Sequence, residues 1–112
     1  MNPTHPVQRQ LDAYNAHDLE AFVAQYTEDI RAYRPPAAEP ILVGKEAFAA
    51  HYAKNRFSIP TLHAEVVNRM VFGNKVIDHE VITGLGENPV EVAAVYEVRD
   101  GLIAAVWFFA AG

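Results

Sequence analysis

The chain contains no cysteine. Disulfide bridges and thiolate metal ligands are therefore excluded, and the redox compartment is left open. No apolar run approaches the roughly 20 residues that cross a bilayer. The start, Met1-Asn2-Pro3-Thr4-His5-Pro6, has neither the basic nor the apolar region of a signal peptide. These features set the expectation of a cytoplasmic protein with no membrane partner. Positive charge is also scarce, with 9 Lys and Arg against 14 Asp and Glu for a net charge of −5. A nucleic-acid surface needs a basic patch to neutralise phosphates, so that partner class is not expected. A phosphate loop, a nucleotide fingerprint and a nucleophile elbow are missing as well.

What is present is apolar and aromatic. The 112 residues are 51% hydrophobic and include six Phe, five Tyr and one Trp. That suffices for one core, because a domain of this size buries roughly two-thirds of its unfolded surface. A single domain over residues 1–112 is expected.

Periodicity divides the chain into helices first and strands afterwards. Pro6 suits a first helical turn with Thr4 or His5 as cap, and Val7, Leu11 and Tyr14 recur at helical spacing to about Ala16. Asp18 reads as the N-cap of a second helix, whose stripe is Leu19, Phe22, Val23 and Tyr26, ending at Thr27-Glu28-Asp29. A short strand, Ile30 to Arg34, leads into an irregular loop bearing Pro35, Pro36 and Pro40. Lys45 to Ala53 is rich in helix formers, with Phe48 and Tyr52 stacked at i, i+4. Thr61–Phe72, Lys75–Gly84, Pro89–Arg99 and Leu102–Ala110 then read as strands. Gly73-Asn74 and Asp100-Gly101 are two-residue hairpin turns between them.

This order predicts an α+β fold with helices on one side of a sheet. In the third long strand Val90, Val92, Ala94, Tyr96 and Val98 share one face, opposite Glu91, Glu97 and Arg99. The last strand is apolar on both faces: Leu102, Ala104, Val106 and Phe108 on one, Ile103, Ala105, Trp107 and Phe109 on the other. A doubly apolar strand in so small a domain predicts a homodimer through the sheet face that includes Trp107 and Phe109.

Several segments in this order resemble the NTF2-like superfamily, and more closely its SnoaL-like and ketosteroid-isomerase-like members. They are Asn15-Ala16-His17-Asp18-Leu19-Glu20-Ala21, Tyr26-Thr27-Glu28-Asp29, Gly44-Lys45-Glu46-Ala47-Phe48, Val81-Ile82-Thr83-Gly84, and Asp100-Gly101-Leu102-Ile103 running into Trp107-Phe108-Phe109. The resemblance implies a cone in which N-terminal helices close a strongly curved antiparallel sheet around a pocket, with pairing through the sheets. Ketosteroid isomerases use a carboxylate base, an oxyanion tyrosine and a protonated oxyanion aspartate. By the resemblance those positions fall on Arg34, Gln10 and Ala94, which cannot fill them. Two supporting pocket tyrosines are matched by Tyr26 and Tyr52.

Candidate chemistry centres on Arg34, Asp78 and Glu80. Asp78 and Glu80 lie two apart on a strand and so share a face, roughly 6.5 Å apart along the chain. Inside a pocket, desolvation and like charge would raise at least one of their pKa values and make a general acid or base. The resemblance places them inward, with Arg34 as natural partner. The opposite face, with Ile77, His79, Val81 and Thr83, suits a core equally well. Arg34 either points inward to hold a ligand oxygen or turns out as a solvated strand end. Tyr14, Tyr26, Tyr52, Tyr96 and Phe108 are expected to line the cavity, with His51 at its wall. His63, Glu65, Val67 and Arg69 read as an ordinary outer face, and His5 and His17 as helix-end surface residues. No metal set and no cofactor are expected. The expected function is a SnoaL-like small-molecule enzyme, an isomerase, cyclase or hydrolase acting on an apolar or carbonyl-bearing ligand. A non-catalytic binding or interaction module is the alternative.

Overall fold

The structure is a computed structural model and describes residues 2–111. Its elements are α1 (Thr4–Asn15), α2 (Leu19–Val23), β1 (Tyr26–Tyr33), β2 (Leu42–Val43), α3 (Lys45–Asn55), β3 (His63–Phe72), β4 (Lys75–Thr83), β5 (Val90–Arg99) and β6 (Leu102–Ala110). One six-stranded sheet has the order β2-β1-β6-β5-β4-β3. The β3–β6 meander is antiparallel throughout, whereas β1 runs parallel to β6, so the sheet is mixed. A parallel pair needs a long crossover, which α3 and the meander together supply.

The motif at the end of α1 ties the helical layer to the sheet. The Asn15 amide accepts from the Ala64 backbone N–H (2.8 Å) and donates to the Ala64 carbonyl (2.9 Å). His17, at φ 58°, is exposed yet its ring bonds the Leu62 carbonyl at 2.8 Å. Asp18 caps α2 by accepting from the Ala21 N–H at 3.0 Å. The second helix is shorter than its stripe predicts. It stops at Val23, and Tyr26 opens β1 instead, because the Ile103 N–H bonds the Gln25 carbonyl (2.8 Å) and draws the chain alongside β6.

Apolar side chains of the helices meet the inner face of the sheet, where Val7, Leu11, Phe22, Phe48, Val76, Ala94, Val98, Ile103 and Val106 form the core. Phe22 stands at its centre, within 6.0 Å (ring centroids) of Tyr14, Tyr26, Phe48, Tyr52 and Phe57.

Two register shifts alter the alternation expected from sequence. In β3, Val66 pairs Glu80 but Asn68 pairs His79, so Val67 is an extra residue. Between β5 and β6, Glu97 pairs Ala105 and Val98 pairs Ile103, which leaves Ala104 extra. A bulge of this kind moves every following side chain to the other face. Ile103 therefore packs inside with Val106, contrary to its expected place beside Trp107. The outer face retains Ala105, Trp107 and Phe109. A continuous row of paired residues, Tyr33, Trp107, Val95, Ile77 and Met70, crosses it from β1 to β3.

Candidate functional site

Between the helices and the inner face lies a cavity of about 140 Å³. Its floor is polar and buried: Gln10, Tyr26, Tyr96 and Glu80 all line it at 8% exposure or less. Gln10 falls on the apolar stripe of α1, between Val7 and Leu11, and that position carries it inward. Its amide is the hub of a one-way hydrogen-bond chain. The Tyr26 hydroxyl donates to Gln10 Oε1 (3.1 Å), Gln10 Nε2 donates to the Tyr96 hydroxyl (3.3 Å), and Tyr96 donates to Glu80 Oε2 (3.0 Å). Among the described residues Glu80 Oε1 has no partner, and it is left to the cavity.

Burial pushes the Glu80 carboxyl up to about 7 from its ordinary 4.5. The Tyr96 hydrogen bond opposes this rise, the nearby Asp78 charge adds to it, and Arg69 opposes it in turn. Burial likewise lifts Tyr14 to about 12 and holds Tyr26, Tyr52 and Tyr96 above their ordinary value, so all four are neutral donors near pH 7. His51 is moved the other way, by partial burial first and then by the charges of Arg56 and Arg34.

Asp78 and Glu80 thus both face inward, on β4 with Val76. Their expected partner, Arg34, does not pair with Asp78. Arg69 holds Asp78 in a two-point ion pair, Nε to Oδ1 at 2.7 Å and Nη2 to Oδ2 at 2.9 Å. Its remaining nitrogen donates to Gln8 Oε1 (2.8 Å). The Val67 bulge is the reason: it turns Arg69 from the outer face to the position directly across from Asp78. Asp78 is fully enclosed and does not reach the cavity. Arg34 lies one residue beyond β1, exposed, and lines the cavity near His51.

Tyr14, Tyr26, His51, Tyr52, Tyr96 and Phe108 all line the cavity. Sequence reasoning missed three polar residues there or behind it. Gln10 had a usable signal in its place on an apolar stripe. Arg56, which caps the C-terminus of α3 and lines the cavity, had none, and neither did Arg69. His79 and His63 are exposed, and His79 pairs with Glu91 on the outer face. Among the described residues no three His, Asp or Glu side chains converge as a metal-ligand set.

A family model of the SnoaL-like domain matches residues 7–106. The chain belongs to the SnoaL-like family. No curated protein matches it. Solved structures share the fold at low identity. A cystatin-fold protein from Novosphingobium aromaticivorans superposes with a TM-score of 0.86 at 24% identity, covering 96% of this chain and 97% of the other. A SnoaL-like protein from Burkholderia thailandensis gives 0.81 at 23%, covering 98% and 94%. The Δ5-3-ketosteroid isomerase of a Mycobacterium species gives 0.79 at 21%, covering 96% and 92%. Within this SnoaL-like chain, Gln10 is a buried relay between two tyrosines, and Ala94 is a methyl group paired with Asp78 on the inner face.

Proposed function

We propose that the cavity is a cofactor-free acid/base site in which Glu80 moves a proton on a small carbonyl-bearing ligand. The observation carrying this reading is Glu80 itself: buried at the cavity floor, one oxygen held by Tyr96 and the other free toward the cavity, with burial pushing its carboxyl up to about 7. A carboxylate of that pKa is matched to taking up and returning a proton at physiological pH. In the reaction the C–H bond next to the carbonyl breaks, the proton passes to Glu80 Oε1, and the electron pair moves onto the carbonyl oxygen as an enolate. Returning the proton to a different carbon gives an isomerisation; attack of the enolate carbon on a second carbonyl, whose oxygen then takes the proton back from Glu80, gives a cyclisation. The neutral hydroxyls of Tyr14 and Tyr52 line the same cavity and are donors available to the enolate oxygen. Asp78, with both oxygens on Arg69, is a positioning residue whose charge helps keep Glu80 protonated.

Exchange of the α-hydrogens of cyclohexanone in D2O, followed by proton NMR near neutral pH, tests this. The protein should accelerate exchange, and Glu80→Gln should lose that acceleration by about 100-fold or more. Equal exchange by both proteins would sink the reading.

The protein is further proposed to form a homodimer through its outer sheet face. The apolar row from Tyr33 to Met70 supports it, with Trp107 stacked on Tyr33 (5.2 Å) and Phe109 42% exposed beside it.

A further inference from the structure

Exposure of the cavity lining rises from floor to mouth, and charge changes with it. The mouth is bordered by Arg34 after β1, by His51 and Arg56 on α3, and by the exposed apolar side chains of Ile41 and Val90. Glu80, at the floor, is the one carboxylate of the lining among the described residues. Arg34 and Arg56 form no ion pair with any described carboxylate, whereas Arg69 and Arg99 each have one. Arg56 donates to the Asn55 carbonyl (3.1 Å) and also hydrogen-bonds the Tyr14 hydroxyl on the cavity wall. Both guanidiniums are close enough to His51 to disfavour its protonation. Two unpaired arginines at the mouth of one cavity run against the −5 charge of the chain. Between mouth and floor the wall is aromatic and aliphatic, with Phe22, Tyr52, Phe108 and Ile82.

We propose that this cavity takes a small organic carboxylate with a compact apolar body, its carboxylate held at the mouth by Arg34 and Arg56. Guanidinium forks match planar carboxylates. A dry cavity of about 150 Å³ accommodates one benzene ring, and the cavity of about 140 Å³ here sets the same limit on the body. The carboxylate binds at the end away from Glu80, so the two negative charges are kept apart and the far end of the ligand meets the floor. This inference rests on reading the cavity as a small-molecule site and names the ligand class that site would take.

Isothermal titration with benzoate, its neutral isostere benzamide, and inorganic phosphate tests the proposal. Benzoate should bind at least about tenfold more tightly than either comparison ligand, since only it offers both ring and charge. Arg34→Gln/Arg56→Gln, with the fold checked by circular dichroism, should lose that tenfold for benzoate and leave benzamide within roughly twofold. Retained benzoate affinity in the double variant, or equal affinity for benzoate and benzamide, would overturn the proposal. Phosphate binding as tightly as benzoate would overturn it too, because the ring would then contribute nothing. Glu80→Gln separates this inference from the proton-transfer reading: it should bind benzoate at least as well as the parent, and loss of benzoate binding there counts against a carboxylate seat at the mouth. Benzoate binding with unchanged ketone exchange in Glu80→Gln defeats only the proton transfer. Lost ketone exchange without benzoate binding defeats only the carboxylate seat.

Discussion

Glu80 owes its pKa to its position on β4, where alternation turns it onto the covered face and, among the described residues, only the Tyr96 hydroxyl hydrogen-bonds its carboxylate. The same pKa has a consequence for stability. The folded value, about 7, lies above the ordinary 4.5, so between them the folded chain holds a proton that the unfolded chain has released. Stability from this group is therefore intact below 4.5 and is lost as the pH rises through 7. Glu80→Gln removes the penalty. It should stabilise the protein by about 3 kcal/mol near pH 8 and by under about 0.5 kcal/mol near pH 4.5, measured by urea unfolding. A difference that does not grow with pH would contradict the assignment. At this scale the sequence was informative but incomplete. The two-residue spacing of Asp78 and Glu80 marks them as a same-face pair, yet Ile77 and Val81 make the opposite face equally apolar. Only packing decides between the two.

The elements that could be read were those with local signals. Gly73 and the Asp100-Gly101 pair adopt positive φ, as hairpin turns require, and the meander strands begin and end within two residues of their expected bounds. Bulges have no such signal. Val66-Val67-Asn68 has the composition of an ordinary strand, so nothing in it shows that Arg69 will turn inward. The α2 stripe failed for a related reason, since Tyr26 fits helical spacing and strand propensity alike and the pairing with β6 settles it. The Val67 bulge is what allows a buried carboxylate at Asp78. Arg69→Met would leave that carboxylate enclosed without a partner, and it should cost about 3–5 kcal/mol in chemical denaturation. Arg69→Met/Asp78→Leu, which removes both charges, should recover most of that loss. A single variant as stable as the parent would show the pair to be dispensable.

The whole molecule presents two apolar surfaces, one facing the helices and the other facing away from them. The doubly apolar last strand marks the second in the sequence, although Ile103 belongs to the core and the outer row is instead Tyr33, Trp107, Val95, Ile77 and Met70. The ion pairs His79–Glu91 and Lys75–Glu97 also lie on this face. Polar flanks around an apolar centre are the usual anatomy of a protein interface. Trp107→Glu places a charge in the middle of the row, and it should halve the mass found by sedimentation. An unchanged mass, with the fold intact by circular dichroism, counts against the dimer.

Proton transfer in the cavity turns on a single ionisation, and carbon NMR of the Glu80 side-chain carboxyl as a function of pH reads it directly. The burial and contacts of Glu80 predict a midpoint at about 7. A midpoint at or below the ordinary 4.5 would mean a solvated carboxylate, and Glu80 would then be no proton carrier at neutral pH.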